Sequence, residues 1–166
     1  MTPPSRTRTF SWQDPMAGAQ AARTMSGLDY LNAMGRGEFA YPPLMYMLGM
    51  DHLTPTVEPG KVTFFLEPQE YHYNPIGSVH GGVFASLLDS AMGCAIHSTL
   101  PAGVGYTTLE FKISFLKALT TATGLVSCEG TVLSAGRQVA TAEGRIFDAG
   151  GKLYAHGTTT CLLLRP

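Results

Sequence analysis

Neither sign of charge dominates this chain. Eleven Lys and Arg stand against twelve Asp and Glu in 166 residues, a formal net charge of −1. Binding to nucleic-acid backbones neutralises many phosphates at once, so the balance argues against a nucleic-acid partner while leaving room for a small cluster that grips one phosphorylated ligand. Cysteine is also sparse. Cys94, Cys128 and Cys161 lie far apart, each in an apolar run, which predicts core packing ahead of a metal cluster or a nucleophile. No stretch approaches the roughly 18 apolar residues of a membrane span. Met1–Gln20, despite Arg6 and Arg8, has no continuous apolar segment of the signal-peptide kind. These absences predict a protein of the reducing cytoplasm with no membrane partner.

Several familiar chemistries are missing too. The chain has no G-x-S-x-G nucleophile elbow, no phosphate loop ending in Gly-Lys-Ser/Thr, and no G-x-G-x-x-G dinucleotide fingerprint. His72, His80, His97 and His156 lack the clustered spacing of a metal motif. No metal and no resident cofactor are expected, and a nucleophile would have to be water or a carboxylate.

The length suits one domain and buries about two-thirds of the unfolded chain's surface without a staple. Residues 1–12 read as an irregular arm that Phe10 and Trp12 are candidates to pin. Ala17–Arg36 reads as one helix, and Pro42-Pro43 as the start of a short helical turn through Leu48. Residues 1–47 thus form an arm and helical extension, and residues 48–166 the main domain. Met50–Val57 and Lys61–Glu67 are strand candidates around the turn Glu58-Pro59-Gly60. From His80 to His97 the pattern changes: Val83, Phe84, Leu87, Leu88, Ala91 and Ala95 recur at helical spacing. Leu109, Phe111, Ile113 and Phe115 then alternate with Glu110, Lys112 and Ser114, which predicts a strand with one core face. Ala122–Leu133, Arg137–Asp148 and Lys152–Leu164 add three strands whose short links make them antiparallel neighbours. Gly144 and Gly157 inside them suggest bulges or close backbone approaches. The class is α+β: an antiparallel sheet wrapped around one long helix.

Asn74–Gly93 departs from an ordinary packing pattern. At about 100° per residue, Asp89 lies almost opposite the Val83-Phe84-Leu87-Leu88-Ala91 arc, with Ala85, Ser86, Gly93 and Ile96 as angular neighbours. A wet face normally carries Lys, Glu or Gln, whereas Asp89 is alone among small residues. A solvated carboxylate and a functional one both remain open on this spacing. Gly81-Gly82 leave unpaired backbone N–H groups at the helix start, suited to an anion or a developing oxyanion, although Gly-Gly is common in turns. His80 reads as a cap or hydrogen-bonding residue as readily as a catalyst.

Asn74, His80-Gly81-Gly82 and Asp89, followed by Thr107-Thr108-Leu109-Glu110-Phe111-Lys112-Ile113-Ser114-Phe115-Leu116, resemble the central pattern of the phenylacetate-pathway type of hotdog-fold acyl-CoA thioesterases. The resemblance runs from about Leu48 to Leu164. It implies a hotdog fold, subunits paired side by side as homodimers or dimers of dimers, and active sites at the dimer interface. It also implies an acyl-CoA substrate, coenzyme A being part of that substrate. Carried over, Asn74, His80 and Gly81 would come from one subunit and Asp89 from its partner, with Gly82 near the thioester. Thr108, or Thr107 if the preceding loop aligns differently, would hold the attacking water. Asp89 would act as general base or as nucleophile through a mixed anhydride. Phe84, Leu88, Met92, Tyr106 and Phe111 supply apolar bulk for an aromatic or a short to medium aliphatic acyl group. Two other readings stand beside this one: an enoyl-CoA hydratase or dehydratase pairing His80 with Asp89, and a non-catalytic acyl-CoA sensor.

Overall fold

The computed structural model describes residues 5–165. Three helices, α1 (Met16–Thr24), α2 (Gly27–Gly35) and α3 (Pro43–Leu48), precede the strands β1 (Thr56–Glu58) and β2 (Lys61–Leu66). The long helix α4 (Gly81–His97) follows, then β3 (Gly105–Phe115), β4 (Val126–Ala135), β5 (Val139–Asp148) and β6 (Leu153–Leu164). The six strands form one antiparallel sheet in the order β1-β2-β4-β5-β6-β3, and α4 packs against it. This is the expected α+β architecture.

The contact between α4 and the sheet is made possible by glycine. Gly130 of β4 pairs with Gly144 of β5, which pairs with Gly157 of β6, so three glycines run side by side across adjacent strands. A Cβ on Gly130 would lie 2.2 Å from the Ala91 carbonyl oxygen, and one on Gly144 would lie 2.9 Å from both Leu88 and Met92 side-chain carbons. The lane lets the helix backbone come down onto the strands, while Leu87, Leu88, Met92 and Ile96 fill the space on either side and are fully buried. The close approach anticipated at Gly144 and Gly157 is therefore present, and Gly130 extends it.

Four sequence expectations need correction. The single helix Ala17–Arg36 is two, because Ser26 is extended (φ −63°, ψ 150°) and its hydroxyl caps α2 by accepting the Asp29 N–H. Met50–Val57 is not a strand: Gly49 turns left-handed after α3, Leu53 N–H donates to Met50 O, and pairing begins only at Thr56. Ala122 belongs to a short 3₁₀ turn at Thr121–Thr123, and β4 starts at Val126. Most consequential, the apolar side of β3 is only partly covered: Ile113 packs against the core and Phe115 meets Phe84 edge-on, but the rest of that side stays open. Leu109, Phe111 and Phe115 are 57%, 40% and 56% exposed. Strand alternation marks two faces but not whether either is covered, and β3 is the last strand of the sheet, paired with β6 on one side only. A bulge between Thr108 and Glu110 leaves Leu109 without a partner in β6.

The arm is held differently from expectation as well. Phe10 and Trp12 stack on each other but stay 40% and 56% exposed. Arg6 instead pairs with Glu70, and Arg8 donates to the carbonyls of Tyr46 and Met47. From the helical extension, Leu31, Met34 and Met45 enter the same buried core as α4.

The glycine lane sets a stability prediction. Gly130→Val should destabilise the fold by about 1–3 kcal/mol through overpacking against the Ala91 backbone. Gly35→Ala, at a helix end with only an ordinary contact to Thr54, should be neutral or slightly stabilising. Urea denaturation of both variants checks the contrast, and equal stabilities would contradict it.

Candidate active site

The segment that holds the candidate residues Asn74 and His80-Gly81-Gly82 is fastened at both ends. Tyr73 and Val79 bridge across a tight loop in which Asn74 N–H donates to Ser78 O at 2.7 Å and Val79 N–H donates to Leu119 O at 2.9 Å. Asn74 Oδ1 accepts from the N–H groups of Ile76 and Ser78, and its Nδ2 donates to Ser78 Oγ at 3.2 Å. The amide therefore spends its oxygen on loop geometry and keeps one Nδ2 hydrogen available. His80 is the N-cap of α4: its Nδ1 accepts the Gly82 N–H at 2.9 Å. The structure thus gives His80 the capping role that the sequence left open.

Capping leaves one donor over. Gly82 N–H is taken by His80 Nδ1 and Val83 N–H by His80 O, whereas Gly81 N–H has no acceptor among the described residues. At the first turn of a 17-residue helix, that donor sits at the positive end of the helix dipole. It borders a cleft of about 340 Å³ lined by Asn74, Ser78, Phe84, Phe115 and Lys117. A Cβ on Gly81 would lie 3.3 Å from the tip of the Phe115 ring, so glycine is what lets that ring close over the helix start.

Asp89 lies two turns further along and is half-buried. Thr108 Oγ1 donates to its Oδ1 at 3.0 Å, leaving Oδ2 without a hydrogen bond among the described residues. It is Thr108, and not the exposed Thr107, that β3 presents to Asp89. One turn beyond, Gly93 gives room to Tyr106, whose ring a Cβ would approach to 3.0 Å. That cover, together with α2 packing over the end of α4, buries Gly93 and Ile96, while the strip of Gly82, Ala85, Ser86, Asp89 and Ser90 stays partly open.

The candidate residues therefore form two separate groups. Asn74, His80, Gly81 and Gly82 gather at the start of α4, and Asp89 with Thr108 sits eight residues on, roughly 12 Å along the axis at 1.5 Å per residue. A single chain does not bring them together. Of the apolar candidates, Phe84 lines the first cleft, Phe111 lies on the open edge, and Tyr106 borders a small recess near His97. Leu88 and Met92 are buried against Gly144 and line neither cleft. Sequence reasoning missed Lys117, which follows the predicted strand and carries no motif, and placed Phe115 in the core.

Burial raises all three thiols, and it pushes Cys94 up to about 12, with Asp89 adding to the shift. Among the described residues no group of three or more His, Cys, Asp or Glu is placed to hold a metal ion, and no helix is long and apolar enough to cross a membrane.

Residues 76–155 match the family described as the thioesterase superfamily. The conserved protein PA5202 of Pseudomonas aeruginosa is 31% identical, with a TM-score of 0.67 over 75% of this chain and 95% of its own. The chain belongs to the thioesterase superfamily. A phenylacetic acid degradation-related protein of Ralstonia eutropha is 28% identical, with a TM-score of 0.69 over 80% of this chain and 98% of its own. A Halobacterium salinarum protein named as an esterase is 36% identical over 69 residues, 40% of this chain, and the match spans 44% of that relative's length. The hotdog resemblance carried by Asn74, His80-Gly81-Gly82 and Asp89 agrees with these likenesses.

The thiols of this superfamily member should be inert. With a pKa raised to about 12, Cys94 is thiolate in only about one molecule in ten thousand at pH 8. Native protein should resist a thiol-directed disulfide reagent at that pH and label at all three cysteines once unfolded. Rapid labelling of the folded chain would contradict the burial.

Proposed function

We propose that the chain hydrolyses acyl-CoA thioesters as a two-fold dimer whose sites are shared between subunits. The observation that carries this reading is the pairing of an unoccupied helix-terminal donor, Gly81 N–H, with a carboxylate that its own chain keeps about two turns away. The exposed strand offers the way to join them. Along β3, Thr108 lies beside Asp89 and Phe115 lies beside Gly81. Antiparallel pairing of β3 with the same strand of a second copy reverses that order, so Asp89 of the partner subunit arrives at Gly81, twice over. Self-pairing also covers Leu109, Phe111 and Phe115, an exposed apolar edge that a lone chain leaves as a liability.

The chemistry then follows from the donors and acceptors present. Gly81 N–H, reinforced by the helix dipole, stabilises the oxygen of the thioester carbonyl as it becomes an oxyanion. Asp89 of the partner subunit uses its free Oδ2 to take a proton from water, and the resulting hydroxide adds to the carbonyl carbon. Thr108, bonded to Oδ1, fixes the carboxylate, and the remaining Asn74 Nδ2 hydrogen orients water or thioester. Collapse of the tetrahedral intermediate breaks the C–S bond and releases the acid, with the thiolate of coenzyme A taking up a proton. No metal or resident cofactor takes part in this proposal. A protein of the same fold, smu.793 of Streptococcus mutans, has been solved bound to acetyl-CoA. Hydratase chemistry would need His80 paired with an acid, but His80 is engaged as the helix cap and Asp89 with Thr108.

Thiol release from acetyl-, hexanoyl- and phenylacetyl-CoA tests the activity. Asp89→Asn should keep the fold and lose about 10²–10⁴-fold in turnover; near-normal turnover would remove Asp89 from the reaction, and saturable binding without turnover by the wild type would favour a sensor. Sharing of the site is tested by remixing Asp89→Asn chains with Asn74→Ala chains after subunit exchange is shown. Mixed dimers carry one site built wholly from unmutated residues, so activity should recover to about a quarter of wild type. No recovery in exchanged, folded dimers would defeat the shared site.

A further inference from the structure

A second cleft opens on the other flank of the α4 terminus. It measures about 360 Å³ and is walled by Met47, Leu48, Tyr71, Tyr73 and Val83, reaching His80 and Gly82 at the helix start. Its lining contains no Lys or Arg. His72 within it is held uncharged: its Nδ1 accepts the Gln69 N–H at 3.0 Å, its Nε2–H donates to Leu48 O at 3.0 Å, and burial lowers its pKa. The first cleft differs, since it carries the Lys117 cation, which forms no ion pair among the described residues. A thioester carbonyl placed at the helix terminus thus stands between an apolar chamber and a cleft bearing a positive charge. The two halves of an acyl-CoA match these two environments: the acyl group is apolar, and the coenzyme A arm leads to phosphates.

The chamber wall is not self-supporting. Met47 and Leu48 form the last turn of α3, and Tyr71 belongs to a separate 3₁₀ turn, Glu70–His72. The N-terminal arm ties the two together. Arg8 donates to the carbonyl of Met47 and to that of Tyr46, which also accepts the Gly49 N–H closing α3, and its guanidinium lies 4.1 Å from the centre of the Tyr71 ring. Arg6 fixes the same 3₁₀ turn through Glu70 at 2.6 Å. Gly49, left-handed at φ +71°, completes the junction: a Cβ there would stand 2.5 Å from Tyr71 Oη and 3.1 Å from Arg8 Nη2. The arm lies outside residues 76–155, which match the superfamily, so it is a feature of this chain beyond that match.

We infer that the second cleft is the acyl chamber of the reaction and that the N-terminal arm, through Arg8, holds the chamber wall and thereby sets which acyl groups are accepted. The inference rests on the thioesterase reading above. Arg8 acts as a positioning residue and touches no reacting atom. The test measures kcat/KM for acetyl-, hexanoyl- and phenylacetyl-CoA with the full chain and two variants. Met47→Trp, which fills the chamber from a half-exposed position, should lower the hexanoyl-to-acetyl and phenylacetyl-to-acetyl ratios by about tenfold or more. Arg8→Ala, which frees the wall, should move the same ratios by about threefold or more, and Arg8→Lys, which keeps the charge but not the fork between two carbonyls, should not restore them. Parallel changes across all three substrates in Met47→Trp would overturn the chamber. A moved ratio in Met47→Trp with an unmoved one in Arg8→Ala would overturn the arm's part. Absence of turnover by the wild type on every substrate would instead defeat the thioesterase reading, and this inference with it.

Discussion

The approach of α4 to the sheet across Gly130, Gly144 and Gly157 is the constraint on which the other features depend. Backbone against backbone at that point fixes the helix along and around its axis, because Ala91, Leu88 and Met92 meet the lane with no slack. Once the helix is fixed, its remaining faces are assigned: the apolar arc goes into the sheet, Asp89 meets the edge strand at Thr108, and Gly82 and Ser86 stay partly open. A bulky residue in the lane would lift the helix and shift every group that it carries.

A helix held in this way has a defined beginning, and the candidate groups Asn74, His80 and Gly81 collect there. His80 satisfies one of the orphan donors through its ring and another through its carbonyl, leaving Gly81 N–H as the free one. The loop before it is kept in shape by Asn74, whose hydrogen bonds serve the fold and the site together. Two clefts flank this single donor, one bearing Lys117 and one walled by apolar and aromatic side chains. The two-sidedness arises because the helix terminus projects between β3's far end, whose Phe115 ring closes over Gly81, and the α3 turn.

The edge strand completes the logic. β3 has the alternation of a buried strand, yet its position as the last in the sheet leaves Leu109, Phe111 and Phe115 exposed. The same strand runs from the Asp89 end of the helix to the Gly81 end, so the antiparallel self-association proposed above would answer both its apolar edge and the separation of the candidate groups.

The amino-acid sequence by itself determined the helix at α4, its small-residue face around Asp89, the antiparallel strands and the motif of Asn74, His80-Gly81-Gly82 and Asp89. These are local properties: periodicity, turn residues and residue types at short spacing express them without reference to distant parts of the chain. What only the tertiary structure decided depends on position in the whole. Alternation could not say that β3 lies at an edge, nor could spacing show that Thr108 meets Asp89 while Gly81 stays two turns away. Leu88 and Met92 looked like pocket residues but lie against the glycine lane, and Lys117, Tyr71 and Arg8 carried no local signal. Their roles come from contacts between segments as far apart as Arg8 and Met47, and such contacts exist only once the chain has closed around α4.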